Sequence, residues 1–307
     1  MRIVFAGTPA VAIPSLEALA ARHEVVAVVT REDAPLGRKR VLTPSPVAEA
    51  ADRLGLPVVK ANRLGDEVTE RIRSLAPDLG VVVAYGGLVR EPLLSLPRLG
   101  WVNLHFSLLP RWRGAAPVQH AVIAGDTETG AAVFHLVPDL DAGDVYAELR
   151  RPIGADETAG ELLAALAVDG AALLADTTDA LAAGTARAVA QEGEVALAPK
   201  LTIDDARLDL SQPAETVYAR LRGVTPEPGA FALLGEERFK IHAARRTREG
   251  GLAPGAVVAS DGRVLVGTGT EPLELVTVQP AGKRAMAAAD WLRGAAQAAG
   301  DAGPVLS

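Results

Sequence analysis

The fold is decided by the stretch Ile3-Val4-Phe5-Ala6-Gly7-Thr8-Pro9, in which a short apolar run ends at a turn containing glycine and proline. Residues 15–22 follow with apolar side chains at helical spacing, so the pattern predicts a strand, a turn and a helix. Further apolar, β-branched runs occur at residues 25–30, 58–60, 79–84 and 101–104, and a helical segment at 65–75. Because these runs are continuously apolar, we expect a mostly parallel sheet covered on both faces by crossover helices, which is an α/β fold.

The chain changes character in its second half. Residues 131–137 and 144–153 predict a pair of strands, and residues 158–183 predict a long Ala/Leu helix that ends at Gly184. Short apolar runs separated by turns then predict a small barrel or sandwich. Its strands are expected at 207–210, 230–234, 238–243, 255–259, 264–266 and 273–278, with helices at 214–222 and 287–299. The length of 307 residues fits two domains, which we place at 1–188 and 205–307, with a linker at 189–204.

Composition excludes several classes of protein. Hydrophobic residues make up 49% and charged residues 22% of the chain, which is enough apolar material for packed cores and excludes global disorder. The balance of 31 Lys and Arg against 38 Asp and Glu argues against nucleic-acid binding through bulk positive charge, but allows local basic patches. Absence of cysteine excludes disulfides, thiolate nucleophiles and Cys-ligated metals. With no signal-peptide pattern and no run of 18 apolar residues, we expect a cytoplasmic location.

Common cofactor and metal motifs do not match this sequence. Gly7-Thr8-Pro9 occupies the position of a dinucleotide-binding loop, but its single glycine and its proline argue against NAD and favour an ordinary strand-to-helix turn. The five histidines form no HExxH pair. Residues 139–144 fail the register of a calcium loop, because Asp144 stands where glycine is needed. We therefore expect no metal.

The most informative polar residues are Asn103 and His105, two apart at the carboxyl end of a predicted strand. Their side chains should point the same way, toward the edge where open α/β sheets bind ligands. An amide beside an imidazole suits a carbonyl that becomes an oxyanion, although a buried pair that satisfies backbone groups is an equally open interpretation. Asp141 lies in a loop before a later strand, where a carboxylate could orient His105 or simply form an Asx turn.

Basic residues cluster in two places. Arg38, Lys39 and Arg40 lie in the proline-containing segment 31–46, which predicts a solvated surface loop. Further along, Arg238, Lys240 and His242 alternate with apolar residues, so one face of a strand should carry all three. A solvated strand face is the default interpretation of this second cluster, and contact with phosphate is the competing one.

The stretch NLHFSLLPRWRGAAP at residues 103–117 closely resembles the folate-dependent formyltransferases, and among them the branch that acts on methionyl-tRNA. Further matching stretches are spread along nearly the whole chain in the family's order. They are FAGTP at 5–9, GRKRVLTPSPV at 37–47, VVVAYG at 81–86, LDAGD at 140–144, APKL at 198–201 and QPAGKRAM at 279–286. The combination of NxHxSLLP with LDxGD identifies formyl transfer, and RWRGAAP, the inserted TPSPV loop and the QPAGK tail narrow the resemblance to the tRNA branch.

This resemblance implies a Rossmann-like, mostly parallel sheet domain followed by a small C-terminal β-barrel resembling an OB fold. The formyl group of 10-formyltetrahydrofolate, the cosubstrate, would pass to the α-amino group of methionine on initiator methionyl-tRNA, leaving tetrahydrofolate. The enzyme would be a cytoplasmic monomer that needs no metal and does not associate with membranes.

The resemblance also assigns roles to residues. Asn103, His105 and Asp141 would form the catalytic trio, in which Asn103 and a protonated His105 stabilise the oxyanion while Asp141 fixes His105 and helps to move the proton. The segment Ser107, Leu108, Leu109 and Pro110 would contact the folate. Contacts with the tRNA would come from Arg38, Lys39 and Arg40 at the acceptor stem, and from the barrel, including Lys240.

Four alternatives stay open at this point. Glycinamide ribonucleotide formyltransferase belongs to the same superfamily but lacks a second barrel of this kind, and a formyl-folate hydrolase would use water in place of the amine. A non-catalytic RNA-binding protein is disfavoured because Asn103, His105 and Asp141 are all present. An NAD oxidoreductase is disfavoured by the missing glycine fingerprint.

Overall fold

The computed structural model describes residues 1–37, 39–299 and 303–307. The strands of the first 198 residues are β1 (Arg2–Gly7), β2 (Glu24–Thr30), β3 (Ala34–Leu36), β4 (Val41–Thr43), β5 (Val58–Lys60), β6 (Leu79–Val83), β7 (Trp101–His105), β8 (Arg113–Gly114), β9 (Glu128–His135), β10 (Val145–Pro152) and β11 (Leu197–Ala198). The helices of this part are α1 (Ile13–Ala20), α2 (Pro46–Arg53), α3 (Asp66–Ser74), α4 (Pro117–Ile123) and α5 (Ala159–Ala182).

The remaining elements follow α5. They are α6 (Ala214–Gly223), β12 (Phe231–Leu234), β13 (Glu237–Arg246), β14 (Val257–Ser260), β15 (Arg263–Val266), β16 (Leu273–Gln279), β17 (Met286–Ala287) and α7 (Ala288–Ala299). Short 3-10 turns occur at Ala10–Ala12 and Asp204–Ala206. Within the described ranges, no helix combines the length and the apolar character that crossing a membrane requires.

Residues group into two compact units. One unit consists of Met1–Pro117, Glu128–Arg151 and Leu163–Ala198, and the other of Val118–Thr127, Pro152–Leu162 and Pro199–Ser307. The second unit thus takes two short segments from the part of the chain that precedes residue 163. Such segments cannot be recognised from composition, and the linear boundaries at 188 and 205 stay a prediction.

A seven-stranded sheet forms the centre of the first unit, in the order β10-β9-β7-β6-β1-β2-β5. β1 pairs in parallel with β2 and β6, β2 pairs in parallel with β5, and β6 with β7, whereas β7 and β9 are antiparallel. The apolar strands β1 and β6 are almost entirely buried, as expected for a sheet covered on both faces. The predicted mostly parallel α/β fold is confirmed, and the carboxyl ends of β1, β6 and β7 lie along one edge.

Trp101 at the start of β7 is the largest fully buried side chain of this unit. Its indole N–H donates to the carbonyl oxygen of Leu93 at 2.9 Å, so burial leaves no polar atom of the ring without a partner. Its ring lies against Gly80 on the neighbouring strand β6, where a Cβ atom would collide with the indole. Glycine at position 80 is therefore required by the close approach of the two strands.

We expect Gly80→Ala to lower the free energy of unfolding by about 1–3 kcal/mol, because an added methyl group must displace a packed indole. Urea unfolding followed by circular dichroism measures the change. Gly294→Ala on α7 is the matched control, since nothing lies within 4 Å of a Cβ at that position and alanine favours a helix. A Gly80→Ala protein as stable as the parent would contradict the collision.

The segment 31–46, predicted as a loop, contains a hairpin of β3 and β4, and helix α2 begins directly at Pro46. Ser45 caps this helix by accepting a hydrogen bond from the N–H of Ala48 at 3.0 Å, and Pro46 suits the first helical turn. Ser45 followed by Pro46 is therefore a helix-start signal that the sequence itself carries. Arg38 lies outside the described residues.

The second unit contains an antiparallel sheet in the order β12-β13-β16-β15-β14, with β17 paired to β16. This curled sheet confirms the predicted small OB-like barrel. Its core includes Phe239 of β13 and Trp291 of α7, whose ring centroids lie 4.4 Å apart.

One predicted strand of the barrel, at 207–210, was wrong. The structure contains a single parallel bridge between Arg207 and Phe231, after which the chain turns away. The Asp209 carboxylate accepts hydrogen bonds from the backbone N–H and the hydroxyl of Ser211, at 3.0 and 2.6 Å, and this local bonding competes with strand pairing.

Candidate active site

Asn103 and His105 lie at the carboxyl end of β7, between β6 and β9. The strand places both side chains on one side, as the spacing predicts. Asn103 is partly exposed, whereas the side chain of His105 is only 6% exposed and packs edge-on against Phe134 of β9, with ring centroids 6.3 Å apart. The amide of Asn103 is therefore accessible to a ligand at this edge, whereas the neighbouring imidazole of His105 is fixed by packing.

The imidazole of His105 has a fixed orientation. Its Nε2 lies 2.9 Å from the carbonyl oxygen of Trp112, and because a carbonyl only accepts, Nε2 carries the proton. Its Nδ1 then faces Oδ2 of Asp141 at 3.8 Å. Trp112 adopts a left-handed backbone conformation, with φ of 63°. The two ring nitrogens thus have different neighbours, a backbone carbonyl and a carboxylate.

Asp141 is held close to His105 by contacts from outside its own loop. Its Oδ2 accepts a hydrogen bond of 2.8 Å from the backbone N–H of Gly114, and its backbone is left-handed, with φ of 45°. The Asx-turn interpretation does not describe this arrangement, because the partner of the carboxylate lies 27 residues earlier in the chain. The structure therefore brings Asn103, His105 and Asp141 to one edge of the sheet.

Electrostatics favour a neutral imidazole in the free protein. Burial lowers the pKa of His105 below its ordinary value, and this effect is larger than the opposing effects of the Asp141 charge and the hydrogen bond to Trp112. Asp141 is thus placed to stabilise an imidazolium if a proton arrives at Nδ1. The protonated His105 that is expected beside the oxyanion stays a prediction.

The segment Ser107 to Pro110 follows β7 and is mostly buried. The hydroxyl of Ser107, which is fully buried, donates to the carbonyl oxygen of Arg111 at 2.7 Å and so supports the loop itself. Leu109 and Pro110 are buried, whereas Leu108 is partly exposed and rests on Gly130 of β9, where a Cβ would lie 2.6 Å from its Cδ2. Leu108 is therefore the side chain of this segment that a ligand could contact.

The predicted tRNA-binding residues lie on exposed surfaces of both units. Lys39 and Arg40 are exposed in the turn of the β3–β4 hairpin. Lys240 is exposed on β13, on the face that also carries Arg238 and His242. The predicted alternation of basic and buried residues along this strand is confirmed, and their role with RNA stays a prediction.

Gln191 is a residue of the site that sequence reasoning missed. Its Nε2 donates to the carbonyl oxygens of Asp141 and Gly143, both at 2.8 Å. Its Oε1 accepts from Nε and Nη2 of Arg113, at 3.1 and 2.6 Å. Gln191 lies in the segment 185–200, which has no periodicity, and hydrogen bonds to backbone carbonyls leave no pattern that a single sequence could reveal.

Comparison with known proteins identifies the family. A family profile described as Formyl transferase matches residues 1–178, and one described as Formyl transferase, C-terminal domain matches residues 200–296. The methionyl-tRNA formyltransferase of Leifsonia xyli subsp. xyli is 75% identical over 295 residues, which cover 96% of this chain and 98% of that protein. The chain belongs to the methionyl-tRNA formyltransferase family. Another member, from Clavibacter sepedonicus, is 61% identical over 296 residues, which cover 96% of this chain and 97% of that protein.

Solved structures agree with this family at the level of the fold. An N-formyltransferase from Helicobacter canadensis, in complex with folinic acid and dTDP-3-aminofucose, superposes with a TM-score of 0.68 at 16% identity, covering 89% of this chain and 98% of that one. The predicted family and the predicted enzyme class, a formyltransferase, are confirmed. An NAD oxidoreductase and a non-catalytic RNA-binding protein are no longer tenable for a member of the methionyl-tRNA formyltransferase family.

Proposed function

We propose that this formyltransferase moves the formyl group of 10-formyltetrahydrofolate to the α-amino group of methionine on initiator methionyl-tRNA. The observation that carries the proposal is that Asn103, His105 and Asp141 lie at one edge of the sheet. The chain that contains them is 75% identical to the methionyl-tRNA formyltransferase of Leifsonia xyli subsp. xyli. Because all three residues come from a single chain, a monomer suffices for the reaction. We place the reaction in the cytoplasm, and the released product is tetrahydrofolate.

The residues around the trio suit a folate-type donor. Leu88, in the loop after β6, is 66% exposed, and Leu140, next to Asp141, is 56% exposed, although both side chains are large and apolar. We infer that these side chains, with the partly exposed Leu108, supply apolar surface for the flat ring of a folate. Since Ser107, Leu109 and Pro110 are buried, we infer that their contribution to folate binding is to support the backbone.

The chemistry needs charge stabilisation and the movement of one proton. 10-Formyltetrahydrofolate supplies a formyl group on N10; the amine nitrogen forms a bond to its carbon, the bond to N10 breaks, and the proton lost by the amine ends on N10. The Asn103 amide donates a hydrogen bond to the formyl oxygen as negative charge develops there. Nδ1 of His105, unprotonated in the free protein, takes the proton from the amine and passes it on, while Asp141 stabilises the transient positive charge.

An acceptor comparison tests the function. The purified enzyme and 10-formyltetrahydrofolate are incubated with initiator methionyl-tRNA, elongator methionyl-tRNA, glycinamide ribonucleotide or no acceptor. We expect rapid formylation of the initiator tRNA alone. Formylation of glycinamide ribonucleotide in its place, or release of formate without an acceptor, would favour the ribonucleotide enzyme or the hydrolase.

The tRNA contacts are tested through their dependence on salt. Lys39→Ala and Lys240→Ala should each raise the KM for tRNA and reduce the slope of log affinity against log salt concentration by about 1, because each removes one phosphate contact. Arg73→Ala is the control, since this arginine pairs with Glu70 on α3. Unchanged slopes would remove these lysines from the interface, and the KM for the folate should stay the same in every variant.

A further inference from the structure

Gln191 contacts both segments that hold the catalytic carboxylate, although it lies outside the motifs that identify the family. We propose that Gln191 is a positioning residue that keeps the Asp141 carboxylate beside His105. This inference rests on the proposed function, because it assigns Gln191 a task in the formyl-transfer reaction. Its side chain reaches the site from the connecting segment between α5 and β11.

The first contact acts on the backbone of Asp141. The amide nitrogen of Gln191 donates hydrogen bonds to the carbonyl oxygens of Asp141 and Gly143. These two bonds fix the loop backbone on both sides of Ala142. Asp141 is left-handed at φ of 45°, a backbone conformation that is uncommon for a non-glycine residue and that these two hydrogen bonds help to hold. At Gly143 a Cβ would collide with the carbonyl oxygen of His135, so the loop is also packed tightly against β9.

The second contact acts on the segment that binds the carboxylate. Arg113 donates two hydrogen bonds to Oε1 of Gln191, and the next residue, Gly114, donates its N–H to the Asp141 carboxylate. Trp112, which precedes Arg113, supplies the carbonyl for Nε2 of His105. One side-chain amide thus ties the backbone of Asp141 to the three-residue segment that orients both His105 and Asp141.

Loss of this amide should release the carboxylate from His105. Nδ1 and Oδ2 are 3.8 Å apart, and displacements of about 1 Å in a catalytic site can cost up to 10²-fold in rate. Among the described residues, Asp141 is the charged group that acts on His105, and its charge raises the pKa of the imidazole against the effect of burial. If the Asp141 carboxylate moves away from the imidazole, the pKa of His105 should therefore fall further.

Two variants of Gln191 test the inference. Gln191→Met keeps the size of the side chain and removes all four hydrogen bonds, whereas Gln191→Glu keeps the acceptor for Arg113 and places an oxygen against two carbonyls. We expect kcat to fall by about 10- to 100-fold in both variants, with the KM of each substrate within about threefold of the parent value. In Gln191→Met the acidic limb of the kcat/KM profile, which reports the pKa of His105, should move to lower pH. The added carboxylate of Gln191→Glu opposes this shift, so that variant is compared by kcat alone. Glu192→Ala, at the exposed neighbouring position, is the control.

Two results would reject the positioning role of Gln191. A kcat within about threefold of the parent value together with an unmoved pH profile would reject the positioning role. A loss of activity that equals the loss of folded protein in urea unfolding would also reject it, because Gln191 would then serve stability alone. The parent enzyme is assayed first; if it formylates no tRNA, the proposed function fails, and the role of Gln191 in that reaction fails with it.

Discussion

His105→Ala is expected to lower the kcat of formylation by at least about 10²-fold, because it removes the group that takes the proton from the attacking amine. The imidazole packs against Phe134, and its Nε2 donates to the carbonyl oxygen of Trp112. The protein should stay folded, since the nearly buried Asp141 carboxylate, which loses its imidazole neighbour, keeps the hydrogen bond from the N–H of Gly114. Single-turnover assays with saturating substrates measure the effect on the chemical step directly.

The control for this variant is His23→Ala. His23 precedes β2, at the amino ends of the parallel strands, whereas His105 lies at their carboxyl ends. Its replacement should leave kcat unchanged. If His105→Ala retained nearly the parent rate, the catalytic assignment of this histidine would be wrong.

The same variant gives a test that does not depend on activity. Burial lowers the pKa of His105, so as the pH falls below about 6.5 the unfolded chain binds a proton at this position that the folded protein does not bind. The parent protein should therefore lose stability with falling pH, down to the pKa of His105 in the folded state, with a slope of up to about 1.4 kcal/mol per pH unit from this group. His105→Ala should lack this contribution, and an identical pH dependence would contradict the lowered pKa.

Asp141→Asn should likewise reduce kcat by about 10²-fold or more, because it removes the negative charge that stabilises a protonated His105. The substitution is conservative in structure. An asparagine oxygen can still accept the N–H of Gly114, and asparagine tolerates the left-handed backbone at this position. The loss should therefore appear in kcat, with the stability of the protein little changed.

Asp139→Asn is the matched control for this substitution, since Asp139 is exposed in the same loop. Steady-state kinetics with initiator methionyl-tRNA and urea unfolding of both variants complete the comparison. Full activity in Asp141→Asn would show that the charge is dispensable, and the role of this residue would then be limited to shape.

The sheet could be predicted from sequence because burial on both faces leaves a direct mark, namely short runs of apolar, β-branched residues such as those of β1, β2 and β6. The alternation in β13 was equally visible, because one face of that strand packs on the barrel core while the other carries Arg238 and Lys240. Element type followed from local patterns in these cases, and tertiary packing reinforced what the patterns indicated.

Other parts of the molecule could not be predicted in this way. The bend after Arg207 depends on a single carboxylate that bonds the next turn, and the grouping of residues 118–127 with the second unit depends on contacts distant in sequence. In the site, Asn103 and His105 were visible as neighbours on one strand end. The contact from Gly114 to Asp141 and the amide of Gln191 were not, since both involve backbone atoms, which every residue has.

The placement of the three tryptophans provides natural fluorescence probes. Trp101 is sealed in the core of the first unit and Trp291 packs on Phe239 in the second, so each indole should change its emission when its own unit unfolds. Trp112, partly exposed beside His105, should respond instead to occupation of the site. Three variants, each keeping one tryptophan and replacing the other two with phenylalanine, would give one fluorescence signal for each unit and one for ligand binding, without any attached dye.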